Sequence, residues 1–119
     1  METKPNPIER LERTQYSEDY DKELTFEFGE EKLICPVSFR QDQKNRDVFN
    51  VSKVLSEKGE SFLKCKKKLI KRQMIYLIIK GYQYTLAGGE LKKVPGPKEF
   101  ILCQVIDIRT TLIKVKILL

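Results

Sequence analysis

Six consecutive residues, Met74-Ile75-Tyr76-Leu77-Ile78-Ile79, are apolar at every position. Successive side chains of a strand point to opposite faces, so Ile75, Leu77 and Ile79 share one face and Met74, Tyr76 and Ile78 share the other. One face is expected to fill a core. The second then needs cover from the N-terminal segment, from a helix or from another molecule. Met74, Tyr76 and Ile78 are therefore candidate partner-binding residues. The run is far too short to span a bilayer, and no signal-peptide core opens the chain, so a cytoplasmic protein without a membrane span is expected.

The rest of the chain supplies strands to go with this one. Leu24, Phe26 and Phe28 alternate with Thr25 and Glu27, and Leu33, Cys35, Val37 and Phe39 alternate within Lys32 to Arg40. With Gly29-Glu30-Glu31 between them, the two runs predict a hairpin, and Pro36, which has no N–H to donate, belongs at an edge or bulge. Val48 to Leu55 predicts a strand with Phe49 and Val51 on one face and a bulge near Lys53. Tyr82 to Phe100 reads as an excursion with turn signals at Gly88-Gly89 and Pro95-Gly96-Pro97. Phe100 to Ile108 and Leu112 to Leu119 predict a closing hairpin, with Ile113, Val115 and Ile117 alternating against Lys114 and Lys116. The expected fold class is mainly β, an antiparallel domain over residues 24–119. Residues 1–23 form an acidic N-terminal arm that is partly helical or flexible, with Asn6 as cap, Pro7 in a first turn and Ile8 and Leu11 as an apolar pair.

Chemistry is narrowed by what the 119 residues lack. There is no histidine, which removes Ser-His and Cys-His nucleophile pairs and imidazole metal ligands. Cys35, Cys65 and Cys103 are odd in number and show no C-x-x-C spacing, so neither a disulfide framework nor a zinc site is expected. No carboxylate pair falls in a segment that reads as a pocket wall. The expectation is a non-enzyme without a cofactor.

Charge divides along the chain. Residues 1–32 hold ten acidic and five basic residues, and the remainder holds eighteen basic and seven acidic ones, for a net +6. The basic excess concentrates in Lys64, Lys66, Lys67, Lys68, Lys71 and Arg72, read as a solvated crossing loop. This run suits an acidic protein partner, or nucleic acid as the alternative, although no exposed aromatic accompanies it before Tyr76. The acidic arm is expected to lie against it as a salt-sensitive gate.

One further stretch joins these parts. Ser56-Glu57-Lys58-Gly59 makes a Ser/Gly turn, Phe62 follows it, and Ile75, Leu77 and Ile79 form the next strand. This order resembles PilZ domains, small β-barrels many of which are receptors for cyclic di-GMP. Leu33 to Phe39 and Val48 to Val54 resemble the family's first two barrel strands, and the closing hairpin its last two. The resemblance implies that residues 24–119 form a small PilZ-like antiparallel β-barrel, a regulatory or adaptor domain with Ser56 and Gly59 in the ligand-binding turn, and Arg40 and Arg46 are the nearest arginines in sequence. This chain has Val54 where the family has Asp or Asn, and no Arg-x-x-x-Arg precedes the first strand. Arg10 and Arg13 are too close together for that motif. Weak or absent cyclic di-GMP binding is therefore expected, with function carried by an acidic partner or a homo-oligomer.

Overall fold

The structure is a computed structural model that describes residues 6–54 and 60–118. Its elements run α1 (Pro7–Thr14), β1 (Tyr20–Phe28), β2 (Glu31–Gln41), β3 (Val48–Lys53), α2 (Glu60–Lys68), β4 (Met74–Ala87), β5 (Glu90–Ile108) and β6 (Ile113–Ile117). All strand pairs are antiparallel, and the order β1-β2-β3-β6-β5-β4 closes on itself as a barrel. The mainly β reading thus holds.

Alternation sets the wall. The inward rows carry Leu24 and Phe26, Leu33 to Phe39 at odd positions, Phe49 and Val51, Ile75 to Ile79 at odd positions, and Ile113, Val115 and Ile117, all in one buried cluster. Phe39 and Phe49, on the paired strands β2 and β3, meet edge to face with 5.8 Å between ring centroids. Inward side chains pack the centre, as in other small barrels. The β1–β2 hairpin turns at Gly29-Glu30, with Gly29 at φ +63°, and pairs Phe28 with Glu31. Pro36 lies one residue beyond the last β2–β3 rung, Val37 with Lys53, so its missing N–H leaves that ladder intact. Register shifts fall at Lys80/Tyr82 and Val105/Asp107, and none is found at the expected Lys53.

Two helices stop the two ends. Asn6 caps α1, its side chain accepting from Glu9 N at 2.9 Å, and Ile8, Leu11 and Thr14 are buried. Helix α1 is therefore packed on the barrel rather than held apart as an arm: Leu11 is part of the core, and the boundary expected at residue 24 falls inside β1. The link after α1 is tied to the same barrel end. Gln15 Oε1 accepts from Gln41 N at 2.8 Å, and Lys22 Nζ donates to the carbonyls of Gln15 and Ser17 while lying 5.6 Å above the Phe39 ring. Burial there lowers the Lys22 pKa.

At the opposite end stands α2. Phe62 and Cys65 are buried on its inner side, and Leu69, one turn further, is also in the core. The Lys-rich run is thus a helix with a buried stripe rather than a crossing loop. Phe62, Cys65 and Leu69 recur at helical spacing, a signal outweighed in the sequence by the lysines between them. All three cysteines are buried, and burial pushes the Cys103 thiol up to about 12, which keeps it protonated.

The excursion after Tyr82 is a single β-ribbon. β4 and β5 stay paired from Tyr82 with Pro95 to Ala87 with Glu90, turning at Gly88-Gly89 with φ of +62° and +84°. A two-residue turn with two positive φ values suits the twist of a hairpin and needs glycine. Pro95-Gly96-Pro97 is not a second turn but part of β5, at the register shift where the ribbon leaves the barrel. A Cβ on Gly96 would lie 2.8 Å from the Gly81 carbonyl oxygen, so the two strands cross there at a distance only glycine permits.

Candidate functional site

With the core packed and a helix at each end, the outer surface of the barrel offers the candidate sites. The outer face of the β2-β1-β4-β5 wall carries the strongest candidate. Register sets Ile34, Thr25, Tyr76 and Leu102 in one row, with Met74 and Phe100 beside it. Met74, Tyr76 and Phe100 are 45%, 43% and 55% exposed, and the Tyr76 and Phe100 rings meet edge to face at 6.2 Å between centroids. With Thr25, Phe26, Glu27 and Lys32 these three line a hollow of about 400 Å³. Thr25 is held at its floor by an Oγ1 bond of 3.0 Å to the Leu33 carbonyl. The hollow offers apolar and aromatic area with one cation and one carboxylate at its edge, which suits contact rather than covalent chemistry.

Ile78 departs from the expected pattern. It faces outward between Glu23 on β1 and Phe100 on β5, yet is only 4% exposed. In that row Lys80 Nζ reaches back to Glu23 at 2.7 Å, so the charged pair and an aromatic flank the isoleucine. The outer face is thus open at Met74 and Tyr76 and closed at Ile78. The Leu24 to Phe28 segment does not cover this face either, because β1 is β4's neighbour within the sheet.

The basic run stands apart from the acidic segment that was expected to gate it. Lys66 donates to the carbonyls of Arg109, at 3.3 Å, and Thr110. Lys68 lies 3.6 Å from Glu31 and 5.1 Å above the Phe28 ring, and Lys71 lies 3.7 Å from Asp107. Lys67 and Arg72 are exposed, and Arg72 takes φ 72° as its N–H bonds the Val105 carbonyl at 2.7 Å. Acids of the first segment pair elsewhere. Glu12 binds Arg46 at 2.9 Å, and Glu23 binds Lys80. On the same helix as Glu12, Arg10 makes a two-pronged contact with Glu99, its Nε donating at 3.0 Å, which raises the Arg10 pKa. Among the described residues, none of residues 1–23 forms an ion pair with Lys64 to Arg72.

The proposed ligand arginines are likewise occupied or apart. Arg46 is held by Glu12 beside α1, and Arg40 lies 5.6 Å from the Tyr16 ring on the outer side of β2. Ser56 and Gly59 lie outside the described residues. A separate polar depression of about 620 Å³ beside Arg40 includes Tyr16, Lys44, Asn50, Arg109 and Lys114. Asp42 organises it, accepting from Lys114 Nζ at 3.0 Å, from the Lys44 and Asn45 N–H groups and from Asn50 Nδ2. The Lys114 contact in particular holds the Asp42 carboxyl well below the usual carboxylate range. Among the described residues no group of three or more Cys, Asp or Glu could hold a metal ion, and no helix is long and apolar enough to cross a membrane.

Comparison of the chain with protein-family models, with curated proteins and with solved structures gave no match.

Proposed function

We propose that this chain is a non-catalytic binding domain, regulatory or adaptor in role, that works by protein contact through the outer β4–β5 wall. The observation that carries this reading is the open group of Met74, Tyr76 and Phe100 around the hollow, on a barrel whose interior is already full. Aromatic and methionine side chains contribute large contact area, and exposed Lys32, Lys71 and Arg72 favour an acidic partner. A cytoplasmic setting belongs to the same proposal. The resemblance to PilZ is supported by six antiparallel strands closing in a ring, and the missing arginine pair together with Val54 argues for weak or absent cyclic di-GMP binding.

Site-specific photo-crosslinking tests the surface. A benzophenone side chain at position 76 is expected to give a discrete adduct in cells, while the same group at Lys64 on α2 gives none. Equal labelling at both positions contradicts the proposal. Calorimetric titration with cyclic di-GMP tests the ligand reading, and an affinity in the low micromolar range or tighter (about −8 kcal/mol) would overturn it.

A second reading, nucleic-acid binding, is favoured by the ribbon. Tyr82 and Tyr84 share a face with Lys93, whose ammonium lies 3.7 Å from the centroid of the Tyr82 ring, and Lys92 and Lys98 are exposed nearby. Stacking platforms interleaved with cations bind single strands in a salt-sensitive, sequence-tolerant way. Titration with a short oligonucleotide at two salt concentrations decides it, since this reading predicts affinity that falls steeply with salt.

A further inference from the structure

The two edges of the ribbon differ in a way the wall surface does not explain. β1 pairs with β4 only as far as Tyr20 with Gly81, so residues 82–87 have no strand on that side among the described residues. β6 pairs with β5 only from Cys103 onward, which leaves the other ribbon edge open as well. The β5 edge is guarded by Lys92, Lys93, Pro95, Pro97 and Lys98, the charges and prolines that discourage a further strand. The β4 edge, Tyr82-Gln83-Tyr84-Thr85-Leu86-Ala87, holds neither charge nor proline.

Its backbone is also correctly turned. In an antiparallel ladder hydrogen-bonded and non-hydrogen-bonded pairs alternate, and the pair flanking a two-residue turn is hydrogen-bonded. Counting back from Ala87 with Glu90, the non-hydrogen-bonded pairs are Leu86 with Leu91, Tyr84 with Lys93 and Tyr82 with Pro95. Pro95, which has no N–H, falls where none is required, which fixes the same phase independently. Tyr82, Tyr84 and Leu86 therefore direct their N–H and C=O groups to the bare edge. Their side chains share one face with Leu91, and Leu86 and Leu91 are 75% and 71% exposed.

We propose that this edge pairs antiparallel with the same edge of a second copy of the chain, giving a four-stranded sheet across a two-fold axis at Thr85. That register sets Tyr84 opposite the partner's Leu86, and Leu86 opposite the partner's Tyr84, with the outward backbone groups of Tyr84 and Leu86 in hydrogen-bonded pairs. Faces match, so the row Lys93–Tyr84 continues into the partner's Leu86 and the partner's Leu91. Charge also permits it: the pairing segment is neutral, and Lys92 lies three strand spacings, about 14 Å, from the partner's Lys92, beyond the screening length at physiological salt. This proposal is independent of the wall surface.

Because the interface is small, the dimer is expected to assemble with concentration, over about 10 μM to 1 mM. Sedimentation velocity of the full chain reads this directly. Thr85→Lys puts two like charges opposite each other at the axis and is expected to give monomer throughout, as is Thr85→Glu, whereas an equimolar mixture of the two restores the dimer. Tyr84→Pro serves as a second variant, because it removes only an outward N–H, and retained far-UV circular dichroism identifies folded variants. A wild-type chain that stays monomeric to about 1 mM, or a dimer that persists in either folded variant, overturns the proposal.

Discussion

One pair of strands builds two quite different regions. From Ile75 to Ile79 β4 lies in the barrel wall, and Ile75, Leu77, Ile78 and Ile79 are all buried; from Gln83 to Ala87 the same strand lies in the ribbon, and every residue is exposed. Pairing with β5 is continuous through both apart from the shift beside Gly81. The strand ladder is therefore not what separates them. The body has a third strand on each side and an opposite wall to fill, whereas the ribbon has neither, so stability should concentrate below Gly81 and Gly96 and surface chemistry above them.

Substitution of leucine tests this contrast most strongly. Leu77→Ala removes a fully buried side chain from the filled interior and should cost about 3 kcal/mol, whereas Leu86→Ala should stay within about 0.5 kcal/mol. Urea unfolding of both variants checks it, and comparable losses would erase the distinction between the regions. Gly96→Ala acts at the boundary. Its Cβ would press on the Gly81 backbone, so a loss of about 1–3 kcal/mol is expected, with the change in amide shifts centred on residues 80–82 and 95–98.

Much of the body was legible because alternation and core filling are local signals. Leu33 to Phe39 and Ile113 to Ile117 read as strands, and their odd-numbered residues are buried. Three features escaped for physical reasons. Exposed lysines hid the short Phe62, Cys65 and Leu69 stripe of α2. The Pro95-Gly96-Pro97 segment carries turn residues, but here they serve a register shift and a close strand crossing, which depend on tertiary geometry. The burial of Ile78 rests on its neighbours across two strands, Glu23 and Phe100, which are remote in sequence. The open part of the candidate site, Met74 and Tyr76, followed directly from the doubly apolar run, while Phe100 joined it only through the β4–β5 register.

A weaker effect is expected at the polar depression. Because Asp42 has a depressed pKa in the folded chain, its stabilising contribution is present above the ordinary carboxylate pKa of about 3.9 and is lost as pH falls toward the folded value. Asp42→Asn should therefore be less stable than the wild type at pH 7, and the gap should narrow progressively below about pH 4 in denaturant titrations. A gap that does not change with pH would mean that the Lys114 and backbone contacts do not favour the charged form.

The smallest change in stability is expected where the account places function. Tyr76 stands on the outer wall, half exposed, and the barrel interior is filled without it. Thermal unfolding of Tyr76→Glu is thus the most direct test of whether this face serves contact with a partner rather than cohesion of the fold. The account predicts a midpoint within about 3 °C of the wild type, whereas a fall of more than about 10 °C, equivalent to roughly 2 kcal/mol or more, would contradict it.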